Sequence, residues 1–244
     1  MKRMLTFAGR TLKEILRDPL TLGFGLGFPI ILLALLTAIQ ANIPASLFEL
    51  EELTPGVTVF GLSFMTLFSA NLISKDRESS LLQRLYTTPL TAADFIFGYI
   101  LPILPIALAQ SVICYIFAAL LGLKLGLNTA FAVLMIIPCA LFFIALGLLC
   151  GSVMSTKQVG GICGALLTNL SAWLSGMWFD VEMVGSAFKT IANLLPFIHA
   201  VELERAVFAG DWQSTLPHLP WVLGYMAVTL AIAIVLFLRQ MKRD

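Results

Sequence analysis

The chain is poor in charge. Only 12% of its 244 residues are Asp, Glu, Lys or Arg, about half the share of an ordinary water-soluble domain, so water is excluded as its main solvent. No stretch fits G-x-x-x-x-G-K-[ST], which excludes a P-loop phosphate cradle and with it ATP hydrolysis by the chain itself; H-E-x-x-H and G-x-S-x-G are missing too. No residue is therefore assigned a catalytic role. The four cysteines (Cys114, Cys139, Cys150, Cys163) stand singly in apolar runs without CxxC spacing, which gives neither a disulfide framework nor a zinc site, and we read them as small packing residues. The two histidines, His199 and His218, are far apart in sequence and are read as ordinary interfacial side chains. With a net charge of +1, nothing points to nucleic acid.

What the chain has instead is hydrophobicity: 59% apolar residues and a mean hydropathy of +0.95. A membrane-spanning helix needs about 20 apolar residues, so this length holds five to seven spans with short loops, and a large catalytic module is expected on another chain. The fold expected is an all-α integral membrane protein with six transmembrane helices. Residues 2–18 form an amphipathic interface helix, with Leu5, Ala8, Leu12, Ile15 and Leu16 on one face and Arg3, Arg10, Lys13 and Arg17 on the other. Such a charged opening does not resemble a cleaved signal peptide. Asp18 and Pro19 cap the first span, 20–39, and the second runs 55–74. The charged stretch 76–87 carries a stripe of Leu81, Leu82 and Leu85 and is expected as a short surface helix between spans two and three, stopped near Pro89. Thr91-x-x-Asp94 predicts a capping box opening the third span, 95–121, with kinks at Pro102 and Pro105. Spans four and five cover 129–152 and 158–178. Residues 180–212, broken at Pro196 and Gly210, are too short and polar to cross and are expected to be re-entrant or interfacial; the last span is 219–238.

With six spans the termini and the loops at 75–94 and 153–157 share a side. That side carries Lys2, Arg3, Arg10, Lys13, Arg17, Lys75, Arg77, Arg84, Lys157, Arg239, Lys242 and Arg243, against Lys124, Lys189 and Arg205 on the other. The excess of cations predicts a multi-pass protein with both termini cytoplasmic.

The assigned spans hold no ionisable residue away from their ends, whereas ion-coupled carriers generally keep such groups at membrane depth. Backbone carbonyls remain able to bind sodium. A secondary carrier of that kind, and a non-transporting scaffold or immunity protein, stay as alternatives to a transporter powered by another subunit. Gly23/Gly27, Gly147/Gly151 and Gly160/Gly164 followed by Thr168 form small-residue faces that let helices approach, within one chain or between two. Opposite the fifth-span stripe lie Asn169, Trp173 and Met177, and the second span shows Phe60, Phe64, Phe68 and Asn71 at helical spacing. These seven are candidates for a path suited to amphiphilic cargo, although aromatics so spaced more often serve packing or lipid contact.

Three stretches carry a family likeness: RTLKEILRDPLTLGFGLGFPIILL, RESSLLQRLYTTPLTAADFIFGYIL, and LSGMWFDVEMV followed by NLLPFIHAVELERAVFAG. In order and spacing they resemble the type-2 permeases of ATP-binding-cassette exporters, which serve drug, antibiotic, polysaccharide and lipid export. Ser79 stands where that family often has Gly, and Asp180 where it often has Pro. The resemblance implies a permease in the plasma (inner) membrane of a prokaryote. It is paired with a second permease copy, a homodimer before a heterodimer, and with cytoplasmic ATPase subunits that bind the ATP and Mg, no cofactor belonging to this chain. It further implies that 76–87 is the coupling helix, touching the ATPase through Glu78, Leu81, Leu82, Arg84, Leu85 and Pro89, with Arg10, Lys13 and Arg17 of the interface helix beside it.

Overall fold

The computed structural model describes residues 2–44, 46–88 and 90–241, and every regular element among them is helical. Helix α1 (Lys2–Leu16) leads to α2 (Pro19–Leu22), a π-helical segment (Gly23–Gly27) and α3 (Phe28–Gln40). Asp18 caps α2, its carboxylate accepting from the Thr21 N–H (3.1 Å) and hydroxyl (2.6 Å). Helix α4 (Leu50–Glu78) is followed by α5 (Leu81–Tyr86), α6 (Ala92–Leu120) and α7 (Leu127–Val153). Next come α8 (Thr156–Gly161), a second π-helical segment (Ile162–Leu167) and α9 (Thr168–Leu174). A 3₁₀ turn (Val181–Val184), α10 (Ser186–Leu194) and α11 (Pro196–Ala209) precede α12 (Trp212–Met241). Five stretches, within 23–40, 50–78, 92–120, 127–153 and 212–239, are long and apolar enough to cross a membrane.

Helix α4 is the axis. Nearly nine tenths of its apolar window is buried (89%), because α3, α6, α7, α8, α9 and α11 all pack around it. Its closest neighbour is α7, where Gly147 and Gly151 remove the side chains that would hold the backbones apart: Cβ atoms there would lie 1.8 Å from Ser69 Oγ and 2.7 Å from the Ala70 carbonyl oxygen. Thr66 and Ser69 use this closeness to donate to the carbonyls of Phe143 (2.8 Å) and Ile144 (3.3 Å) across the interface.

Several element ends differ from the sequence expectation. The second span begins at Leu50, after an extended Glu49, and Glu51 and Glu52 sit favourably in the first turn; Pro55 lies close enough to that end to be carried inside. The same helix runs on to Glu78, so 76–78 belong to α4 and the surface helix is only Leu81–Tyr86. Ser80, at φ 57°, makes the turn between them; a left-handed non-glycine residue costs about 1–2 kcal/mol, and it sits one place beyond Ser79. The capping box at Thr91 and Asp94 is formed. The stretch expected as the fifth span is helical over 156–174 as an α–π–α succession but is not among the five helices long and apolar enough to cross a membrane, and the last helix starts at Trp212 with Pro217 and Pro220 inside. Helix α1 packs on α6 through Phe7, Ala8, Thr11 and Ile15, while Leu5, Leu12 and Leu16 stay exposed, so its buried face is rotated from the one drawn from the leucines. Pro89 lies outside the described residues.

Candidate functional site

A groove of about 560 Å³ opens between the α2–α3 segment and the α8–α9 segment, floored by α4. One wall is aromatic. Phe60, Phe64 and Phe68 recur every four residues on α4, and Phe28 of α3 meets Phe60 and Phe64 at ring-centre distances of 6.2 and 5.6 Å. Phe24 at the lip is 57% exposed. Gly25 makes the approach possible, for a Cβ there would stand 2.4 Å from the Phe68 ring. The other wall is Gly160, Gly164, Ala165, Thr168, Asn169, Ala172 and a half-exposed Trp173. Hence Gly160, Gly164 and Thr168 border the same space as Asn169 and Trp173, not opposite faces of the helix. Two sequence candidates fall elsewhere. Met177 is buried against Gly56, and Asn71 does not line the groove. Added Cβ atoms at Gly23, Gly27 and Gly160 would meet nothing within 4 Å, so these three glycines are not spent on packing within the chain, in contrast to Gly147 and Gly151.

At one end of the bundle α1, the close of α4, α5 and the α7–α8 turn converge. Arg10 is bonded through both terminal nitrogens to Asp76 (2.5 and 2.6 Å), Tyr99 donates its hydroxyl to the same carboxylate (2.8 Å), and Glu14 pairs with Arg10 (2.7 Å). Lys13 and Arg17 are exposed. Glu78 is exposed, yet its carboxylate accepts the Thr156 backbone N–H at 2.9 Å. Leu82, expected on a contact surface, is 2% exposed and belongs to the core. The outward-facing remainder of α5 is Gln83 and Arg84, with Leu81 and Leu85 partly covered. Phe237, near the close of α12, lies 5.5 Å from Phe95 at this same end.

At the other end Arg205 of α11 donates to the carbonyls of Glu52 (3.2 Å) and Gly176 (3.2 Å) and pairs with Glu202 (2.9 Å), joining α11 to α4 and to the close of the fifth segment. The two histidines are not independent. His199 Nε2 is 2.9 Å from the Asn193 carbonyl and its Nδ1 is 2.9 Å from His218 Nδ1; with neutral rings, Nε2–H donates to the carbonyl and His218 donates to His199. The feature the sequence concealed is Glu204. It lies outside the predicted spans, yet α11 carries it fully inside the bundle (0% exposed), where the Tyr115 hydroxyl donates to Oε1 at 3.1 Å and Oε2 has no partner. An ionisable group is thus present in the interior. A glutamate at i−1 of an Arg in an apolar helix gives no pattern signal for this.

A bundle of long apolar helices about a buried axis, with a polar hairpin at one end and the short helices α10 and α11 at the other, defines a multi-pass membrane protein. The family profile of the ABC-2 type transporter matches residues 3–209, and the chain belongs to that family: it is an ABC-2 type permease, and the permeases of this family are membrane subunits without an ATPase of their own, which implies an ATP-binding-cassette partner. Comparison with curated proteins gives no match.

Proposed function

We propose that the chain is the permease of an exporter that moves amphiphilic, drug-like or lipid cargo out of the cytoplasm, using ATP and Mg bound by separate cytoplasmic ATPase subunits. The groove carries this reading. Its volume suits a small ligand, its aromatic wall suits a greasy one, and its hydroxyl and amide groups from Thr168 and Asn169 offer hydrogen bonds without fixed charge. Residues 156–174 make a further crossing, the fifth of six along the chain, α10 and α11 re-enter from the outside, and the hairpin about α5, exposing Arg84, is the coupling element in the cytoplasm with both termini. A second copy, in a homodimer, lies across the groove on the open glycines. The test is co-purification with an ATPase subunit, reconstitution, and ATP hydrolysis measured against an amphiphilic dye. Stimulation of hydrolysis together with ATP-dependent dye movement is expected; dye movement in vesicles that hold the permease alone sinks it.

Gly160→Leu tests the seam. Because nothing lies within 4 Å of the added Cβ, the monomer keeps its melting temperature or gains slightly, a mid-helix glycine costing about 0.5–1 kcal/mol relative to alanine. Cross-linking between copies should be lost. Unchanged cross-linking removes this face from the dimer.

Glu204 favours a second reading, an ion-coupled carrier, since buried carboxyls serve proton and sodium coupling. For the permease proposed here, Glu204→Gln leaves ATP-driven transport and its pH profile within about twofold of the parent, a hydrogen bond to Tyr115 being retained and each such bond being worth roughly 1 kcal/mol or less. Collapse of transport with ATP hydrolysis preserved supports the carrier.

A further inference from the structure

Three consecutive side chains close α4, and each is bound to a different part of the bundle. Successive residues of an α-helix point about 100° apart, so Asp76, Arg77 and Glu78 address three directions from one turn. Asp76, 2% exposed, holds α1 through Arg10 and α6 through Tyr99. The Arg77 guanidinium donates to the carbonyls of Ser152 and Met154 at the close of α7. Glu78 accepts the first N–H of α8, at Thr156, whose hydroxyl also donates to Ser74 of α4 (3.2 Å). The signs match the helix ends: a cation on the orphan carbonyls of α7, an anion on the orphan N–H of α8. Beyond Glu78 only Ser79 and Ser80 separate this turn from α5.

We propose that the last turn of α4 is a junction at which a displacement of the α5 hairpin divides. Asp76 carries it to α1 and α6, and Arg77 with Glu78 carries it to the α7–α8 turn and so to the small-residue wall of the groove. These are positioning residues, and their role rests on the coupling function given to the hairpin above. A stack of contacts that merely holds the fold would couple nothing selectively; a junction gives each contact its own destination.

The test uses the complete transporter in liposomes. A single environment-sensitive fluorophore is placed at Gln83→Cys in α5, Lys13→Cys in α1 or Lys157→Cys in α8, all exposed positions, while the native cysteines are buried. In the parent, ATP changes the emission at all three. In Arg77→Gln/Glu78→Gln the change at position 157 falls by about 2- to 30-fold, the range over which single contacts tune coupling, while that at 13 persists. In Asp76→Asn the pattern reverses, and Arg10→Lys, which keeps the charge and loses the two-pronged bond, reports the same limb if Asp76→Asn fails to accumulate. Parent-like changes at 13 and 157 in both variants overturn the junction, as does a uniform loss at every position. A parent in which position 83 does not respond to ATP overturns the coupling reading itself, and the junction with it.

Discussion

Gly147→Val is expected to remove the folded protein from the membrane almost completely. The glycine lies where α4 and α7 touch, and a Cβ there would meet Ser69 Oγ at 1.8 Å and the Thr66 carbonyl oxygen at 2.4 Å. A side chain can swing away, but a backbone carbonyl inside the central helix cannot. Relief therefore requires separating the two helices, and that also breaks the bonds from Thr66 to Phe143 and from Ser69 to Ile144. Overpacking a tight core costs about 1–3 kcal/mol, sometimes more, and each lost hydrogen bond roughly another 1 kcal/mol. The sum, on the order of 3–5 kcal/mol, is a large part of a typical domain stability of about 5–15 kcal/mol. Thermal melting of detergent-solubilised protein and its yield in the membrane check this. A Gly147→Val variant that accumulates and melts like the parent would mean that the α4–α7 interface is not as close as described.

Arg10→Ala should be the next most damaging change away from the helix interfaces. It leaves Asp76 buried with Tyr99 as its sole remaining donor among the contacts described. Removing one partner of a buried pair costs about 3–5 kcal/mol; Arg10 is itself partly exposed, 37% of its side chain, so water reaches the site and about 2–3 kcal/mol is the expected loss. The double variant Arg10→Ala/Asp76→Asn should recover most of it, because the stranded charge rather than the missing contact dominates. Melting curves of the three variants decide the matter. If the double variant melts no higher than Arg10→Ala, the penalty comes from lost packing of the Arg10 stem on Phe7, over whose ring its guanidinium carbon sits at 6.0 Å.

The long apolar runs were legible because hydrophobicity must match a membrane about 30 Å thick, and caps such as Asp18 and Thr91 were legible because they act within four residues of themselves. Aromatic spacing on α4 likewise pointed to one groove wall. Four things escaped. Charged residues 76–78 read as surface, since composition does not tell a solvated charge from one bonded to a distant helix end; Asp76 and Arg77 find partners 66 and 75 residues away. Leu82 groups with Leu81 and Leu85 as one apolar stripe of a helix spanning 76–87, but α5 starts only after the left-handed turn at Ser80 and buries Leu82 alone of the three. On the fifth segment the wheel assumed 3.6 residues per turn throughout, whereas 162–167 are π-helical. A wider turn shifts everything after it, so Asn169 and Trp173 come round beside Gly160 and Gly164. Glu204 escaped for a different reason: its burial is decided by how α11 tucks between α4, α7 and α12.

The two π-helical stretches, Gly23–Gly27 and Ile162–Leu167, stand between α2 and α3 and between α8 and α9, on either side of the groove. A π-helical turn holds more residues than an α-turn and occurs mostly as a short insertion inside α-helices, frequently at functional sites. Every side chain beyond it is therefore turned about the segment's axis from where an unbroken α-helix would place it. The lining of the groove is thus set by two wide turns, one at each side, rather than by a single helical period along either segment.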